Sequence, residues 1–259
     1  MSSSPAPSSP RADANDVRPV AMVTGAVRRV GRAIAIELAR CGVDLHLTSR
    51  RDARELDDTA EACRAASGGR VRIERHVADF SSAGALDALR KSLSSLDRLD
   101  ALVHNASSYG PTPLDAVKVE DVEHHVLVNA AAPLVLTTAA RPALERSILA
   151  GGGSVVCFSD IHVLGRPRRN YVAYQMSKGA LTVMVEALAR ELAPRVRINA
   201  IAPGVVAWPD GTSVQERAAY EARTPLDRSG TPEDAAAMVR WLVLEAPFVT
   251  GEVIRLDGG

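Results

Sequence analysis

The chain has 259 residues, 46% hydrophobic and 3% aromatic, with 31 Lys plus Arg against 31 Asp plus Glu. That size and apolar content suit one large α/β domain whose core is filled by Ala, Val, Leu and Ile. A formal net charge of +0 gives no general pull toward nucleic acid or an acidic membrane, so neither is expected as a partner.

The opening MSSSPAPSSPRADANDVRP lacks the apolar segment of a secretory signal and reads as a disordered tail over 1–18, with a domain over 19–259. Residues 20–23 (VAMV) read as a short buried strand ending at Thr24-Gly25. Val30, Ile34 and Leu38 recur at helical spacing until Gly42. Leu45 and Leu47 alternate with polar residues in a second strand that ends near Ser49, and a charged helix over 53–67 stops at Gly68-Gly69. Val71, Ile73 and Val77 mark a third strand, and Leu102-Val103 a fourth that closes at Asn105. A long helical region breaks at Gly151-Gly152-Gly153, and 155–158 (VVCF) is again a buried strand. A helix carries 174–192, strands follow at 196–201 and 252–256, and Thr231-Pro232-Glu233-Asp234 starts a helix between those strands. Such alternation predicts right-handed βαβ units and a Rossmann-type, doubly wound parallel sheet in a single domain.

Cys41, Cys63 and Cys157 form an odd set with no C-x-x-C pair and read as reduced core thiols. His124-His125 point apart on a helix, and His46, His76, His104 and His162 show no ligand spacing, so no metal site is expected. No uninterrupted apolar run approaches the roughly 18 residues of a membrane span, so a cytoplasmic protein with no membrane contact is expected.

Residues 24–31 (TGAVRRVG) join the first strand to the first helix. Gly25 permits a tight turn and Gly31 a close helix approach, with helix N–H groups facing phosphate. Ser49-Arg50-Arg51, at the end of the second strand, sits where a dinucleotide fold selects its ribose. With Arg28 nearby, these cations favour a 2′-phosphate, hence NADPH; Asp52 is the competing acid. Tyr174 and Lys178 form Y-x-x-x-K, four residues apart on one helix face, where the ammonium can draw the phenol pKa down toward working range.

This set of motifs resembles the short-chain dehydrogenase/reductase family, and Arg29 in place of the loop's middle Gly resembles its pteridine reductase branch. So do the run 105–114 (NASSYGPTPL) and Asp160, which stands where ordinary members carry Ser; Ser159 is the runner-up for that place. The resemblance covers roughly 19–259. It implies Tyr174 as proton donor, assisted by Lys178, Asp160 and Asn129. A cofactor site is implied at Gly25, Arg28, Arg29, Val30, Gly31, Ser49, Arg50, Arg51, Asp79, Phe80, Asn105, Ala106, Ser107, Tyr174, Lys178, Pro203 and Gly204. Arg29, Ser107, Tyr109, Asp160 and Tyr174 would meet a pterin, with Tyr109 as the ring platform. Asp79 would contact adenine or serve as a cap toward Ser81-Ser82. Asn129 would support a water chain to Lys178 or bond its own turn. The segment 205–230 is similar to the family's substrate loop, with Trp208 and Pro209 as pocket wall. Arg166, Arg168 and Arg169 read as a solvated cluster that can draw an anionic substrate tail. The resemblance also implies a homotetramer. The expected activity is NADPH-dependent reduction of a pterin. The alternatives are a carbonyl reductase that uses Ser159, and a non-catalytic NADPH sensor.

Overall fold

The computed structural model describes residues 17–259, so nearly all of the expected tail lies outside the described residues. From Arg18 on, the chain is tied down: its guanidinium donates to the Arg70 carbonyl, and Arg98 Nη2 donates to the Arg18 carbonyl at 2.6 Å.

Among the described residues seven strands form one sheet: β1 (Val20–Val23), β2 (Asp44–Ser49), β3 (Ile73–Val77), β4 (Ala101–His104), β5 (Gly153–Phe158), β6 (Val196–Pro203) and β7 (Val253–Leu256). Their order is β3-β2-β1-β4-β5-β6-β7, and every pairing is parallel. The chain reverses its direction of winding between β1 and β4. A crevice must open there, beyond the carboxyl ends of the strands.

Helices cover both faces. On one, α1 (Arg29–Arg40) packs between α2 (Asp57–Ser67) and α8 (Pro232–Leu244) over Leu45, Leu47, Val103 and Val156. On the other, α3 (Ala83–Ser94), α5 (Ala132–Leu144) and α6 (Val172–Leu192) cover Met22, Leu102, Val155 and Ile198. Two-sided cover explains why all six residues of β2 are buried although its sequence alternates, the polar His46 and Thr48 included. The charged helix expected over 53–67 opens with a 3-10 turn (Ala53–Leu56) that leads into α2.

Residues 119–144 form a nearly continuous helical stretch, in which α4 (Val119–Val126) joins α5 through a π turn at Leu127–Ala131. The stretch is long and apolar enough to cross a bilayer, yet half of its most apolar window is buried in the fold, where it serves as a core helix. The expectation for Thr231 holds: its hydroxyl accepts from Asp234 N–H at the start of α8. One cysteine departs from expectation. Cys63 and Cys157 are core thiols pushed up to about 12 by burial, whereas Cys41 is exposed at the end of α1.

Candidate active site

The phosphate loop is held against its neighbours by backbone contacts that only small residues permit. Gly25 has φ +67, and a Cβ there would lie 3.0 Å from Ala106 Cα. A Cβ on Gly31 would fall 2.2 Å from the Gly25 carbonyl oxygen and 2.6 Å from Asn105 Nδ2. Asn105 closes the joint from β4, its Nδ2 donating to the carbonyls of Thr24 (2.9 Å) and Gly25 (3.0 Å). Thr24 Oγ1 accepts from the N–H groups of Asn105 and Ala106, both at 3.0 Å. Arg29 keeps the left-handed φ of 50 that suits the glycine it replaces. A side chain held there costs about 1 kcal/mol or more, which points to a use for the cation. Its Nη2 pairs with Asp210, in the segment 205–230, at 2.8 Å.

These residues line a cleft of about 790 Å³. Gly25, Arg28, Arg29, Val30, Gly31, Ser49, Arg50, Arg51, Asp79, Phe80, Asn105, Ala106 and Ser107 all face it, as does Tyr109. Pro203 and Gly204 do not; they end β6, where Gly204 N–H donates to the Leu256 carbonyl. The expectation for the pocket wall also changes. Ala207 lines the cleft, while Trp208 turns back into its own loop, donating from Nε1 to Ser229 Oγ and packing edge-on against Tyr220.

The competing acid at the ribose end is already spent. Asp52 accepts from Arg54 N–H (2.9 Å), Nε (2.9 Å) and Nη2 (2.6 Å), and these bonds hold its carboxyl below the usual range. Arg50 stays largely exposed, 3.6 Å from Asp79. Asp79 accepts from Ser81 N–H and Oγ, an Asx turn that keeps it ionised, while Ser82 caps α3. A nicotinamide dinucleotide fits this lining: a glycine cradle for the pyrophosphate, and exposed arginines paired only loosely, Arg50 with Asp79 at 3.6 Å and Arg28 with Asp210 at 3.7 Å.

Beside the cleft lies a buried polar constellation. Tyr174 OH donates to Asp160 Oδ2 at 2.6 Å, and Asp160 Oδ1 accepts from His162 N–H at 2.8 Å. Ser159, one residue earlier, turns the other way onto Thr182 Oγ1 (2.8 Å) and is 3% exposed. Lys178 Nζ donates to the Phe158 carbonyl at 2.6 Å and sits 5.9 Å from the Tyr174 ring centre. The expected lowering of the Tyr174 pKa is not what this geometry gives. Burial and the adjacent Asp160 carboxylate both oppose the phenolate and raise it. Burial lowers Lys178 to about 8.

Asn129 sits in the π turn, a deformation frequent at functional sites. It does not bond its own turn. Its Oδ1 accepts from Ser107 Oγ (3.0 Å) and Ser108 N–H (2.8 Å), and its Nδ2 donates to the Ser108 carbonyl and Ser177 Oγ, both at 2.9 Å. All four of its side-chain bonds are taken, so any link from Asn129 to Lys178 must run through the backbone.

Tyr109 joins the cleft to the constellation. It meets Tyr174 edge-on at 4.9 Å and stacks on Tyr171 at 5.0 Å. Arg168 is not a freely solvated charge: it donates to Tyr109 OH at 2.6 Å and lies 4.5 Å over the Tyr171 ring. Arg166 donates to the carbonyl of Gly259. Sequence reading misses Tyr171 and Arg168 as partners of Tyr109, although the run 168–171 (RRNY) directly precedes the helix of Tyr174.

Comparisons with known proteins agree with this architecture. The family model described as enoyl-(acyl carrier protein) reductase matches residues 25–259. An uncharacterized oxidoreductase of Mycobacterium tuberculosis is 37% identical over 252 residues, covering 93% of this chain and 91% of the relative. A glucose 1-dehydrogenase of Gluconobacter oxydans is 30% identical over 246 residues, covering 92% and 90%. The crystal structure of acetoin dehydrogenase from Enterobacter cloacae superposes with a TM-score of 0.81 at 26% identity, covering 95% and 96%.

Proposed function

The chain belongs to the short-chain dehydrogenase/reductase family, and we propose that within this family of oxidoreductases it is an NADPH-dependent reductase of a flat, pterin-like heterocycle. One observation carries the substrate reading: Tyr174 OH is paired with the carboxylate of Asp160 at 2.6 Å, while Ser159 is turned away onto Thr182. A ketone becomes an alkoxide on reduction, and a carboxylate beside the proton donor repels that charge. A pterin instead presents ring N–H and amino donors and needs a proton on nitrogen. An acid beside the donor serves both needs.

NADPH held in the cleft supplies the hydride. Gly25 and Gly31 let the backbone approach its pyrophosphate; Arg28, Arg50 and Arg51 answer the 2′-phosphate; and Asp79, Phe80 and Ser49 border the adenosine end. Lys178 spends one of its three donors on Phe158, which leaves two for the nicotinamide ribose. Tyr174 stays protonated and gives its proton to the substrate, and Asp160 passes a replacement from solvent. Tyr109, buttressed by Tyr171, stacks on the heterocycle, while Ser107 and Arg29 reach its edge. Pro203 and Gly204 stand outside the cleft lining and have no part in this reading. A homotetramer and a cytoplasmic setting belong to the same reading.

A second reading has its own support. The glucose and acetoin dehydrogenases among the relatives are named for carbonyl–alcohol couples, and the carbonyl reductase alternative fits those names better than a pterin does. Incubating the purified protein with NADPH or NADH and a panel of dihydropterins, dihydrofolate and simple ketones separates the two. Turnover of dihydropterins with NADPH is the expected result. Reduction of ketones alone would install the second reading, and absence of any turnover would leave a cofactor-binding sensor.

A further inference from the structure

We propose that His46, Glu74 and His76 form a binding site for one divalent transition-metal ion of the zinc type, on the β2–β3 edge of the sheet. Linear spacing conceals the group, because the two histidines are 30 positions apart; strand register assembles it. His46 of β2 pairs with Glu74 of β3, and Thr48 with His76, so Glu74 and His76 point to the face that His46 occupies.

His46 Nδ1 lies 3.0 Å from His76 Nε2 and 3.4 Å from Glu74 Oε2, and one ligand atom from each residue falls within 4.8 Å of the others. Ligands at about 2.0–2.1 Å from a tetrahedral zinc stand about 3.3 Å apart, so the trio can close on an ion with side-chain shifts of a few tenths of an ångström. Two imidazoles and a carboxylate are a ligand set that zinc accepts with water in the fourth place.

The protonation state agrees. Burial lowers the pKa of both imidazoles and keeps them neutral, the form that ligates. In the ion-free arrangement one imidazole must donate to the other. With an ion present, the donor moves its proton to its other ring nitrogen and both lone pairs face the metal. The Glu74 side chain is 68% exposed, which leaves an entry path from solvent. Among the described residues this is the one such three-ligand group, and none of its members lines the cofactor cleft. Among the described residues β3 is the edge strand of the sheet, paired on one side. An ion here ties it to β2, and the same two strands lead into Ser49 and Asp79 at the cleft.

The test uses the full chain, stripped with chelator and titrated with Zn²⁺ by calorimetry, with Co²⁺ absorption as a second readout. The expected result is one ion per chain, a thermal midpoint that climbs with Zn²⁺ as linkage requires, and visible Co²⁺ bands of a low-coordinate site. Glu74→Gln and His76→Asn leave the buried His46 in place, and far-UV circular dichroism checks that each folds. Each should weaken zinc binding at least about tenfold, the floor set by losing even an outer-sphere partner, and remove the midpoint rise. His162→Asn, which changes a histidine elsewhere, should bind as the unmodified chain does. Absence of saturable binding in the unmodified chain would overturn the proposal, as would Glu74→Gln and His76→Asn proteins that bind zinc as tightly as it does.

Discussion

The two sides of the cleft are built by opposite means. On the side of the glycine loop, position comes from backbone: Gly25, Gly31 and Asn105 bring β1, α1 and the end of β4 within contact distance, while Arg28 and Arg50 stay largely in solvent. On the substrate side, position comes from buried side chains: Tyr174 is bonded to Asp160, Lys178 to Phe158, and Asn129 to the 107–108 loop and α6. The contrast teaches where each kind of change should be felt. Charge changes on the first side should alter binding and selectivity, whereas small changes on the second should alter turnover.

The largest expected effect is on the substrate side. Tyr174→Phe keeps the ring and its edge contact with Tyr109 but removes the proton, and should lower kcat about 10²–10⁴-fold with NADPH affinity nearly intact. Fluorescence titration with NADPH alongside steady-state kinetics checks both halves; a loss of binding as large as the loss of turnover would break the contrast.

Next comes Arg50→Ala with Arg51→Ala. Each charge-assisted bond to a phosphate is worth about 1.5–3 kcal/mol at best, and less at exposed positions. The preference for NADPH over NADH in kcat/KM should fall about 10–100-fold, with kcat on saturating NADPH little changed. Equal use of NADH by the unmodified protein would remove the cofactor assignment.

Two smaller effects follow from pH. Lys178 titrates at about 8, so its ammonium is present below that pH and lost above it. Reduction measured as kcat/KM should therefore decline through an alkaline limb near pH 8, by up to about tenfold per pH unit. A flat profile to pH 10 would show that the charge is dispensable. His104 is fully buried, donates to or accepts from Thr137 at 2.8 Å, and is lowered from 6.5 to about 3 by burial. The unfolded chain binds this proton first, so stability is unaffected above pH 6.5 and is lost as pH falls toward 3. The loss is about 3 kcal/mol by pH 4, and His104→Asn should flatten that slope in denaturant titrations.

The same contrast explains what was legible in the sequence. Backbone devices leave local signatures. The seven strands, the glycine loop and the Thr231 cap are all readable because apolar runs, glycines and capping residues act on their immediate neighbours. Two helices escape. Leu86, Leu89 and Leu93 of α3 do carry a helical period, whereas α7 (Val214–Glu221) has no buried residue and rests on the Ser213–Glu216 capping box. Side-chain chemistry is less legible because it depends on what the fold brings together. The pairing of Asp160 with Tyr174 is suggested by residue type. The upward pKa of Tyr174, the turning away of Ser159 and the docking of Arg168 on Tyr109 depend on burial and on distant contacts. The His46–Glu74–His76 group depends on strand register alone.

The central claim is that Asp160, rather than a hydroxyl, sets the chemistry beside Tyr174. Its most direct test is steady-state kinetics of the unmodified protein and of Asp160→Ser on dihydropterins and on simple ketones, with NADPH affinity measured in parallel. Removing a hydrogen bond to a charged group should cost about 10–100-fold in pterin kcat/KM, leave NADPH affinity unchanged, and leave ketone turnover equal or improved. An Asp160→Ser protein with full pterin activity, or an unmodified protein that reduces ketones and ignores pterins, would contradict the account.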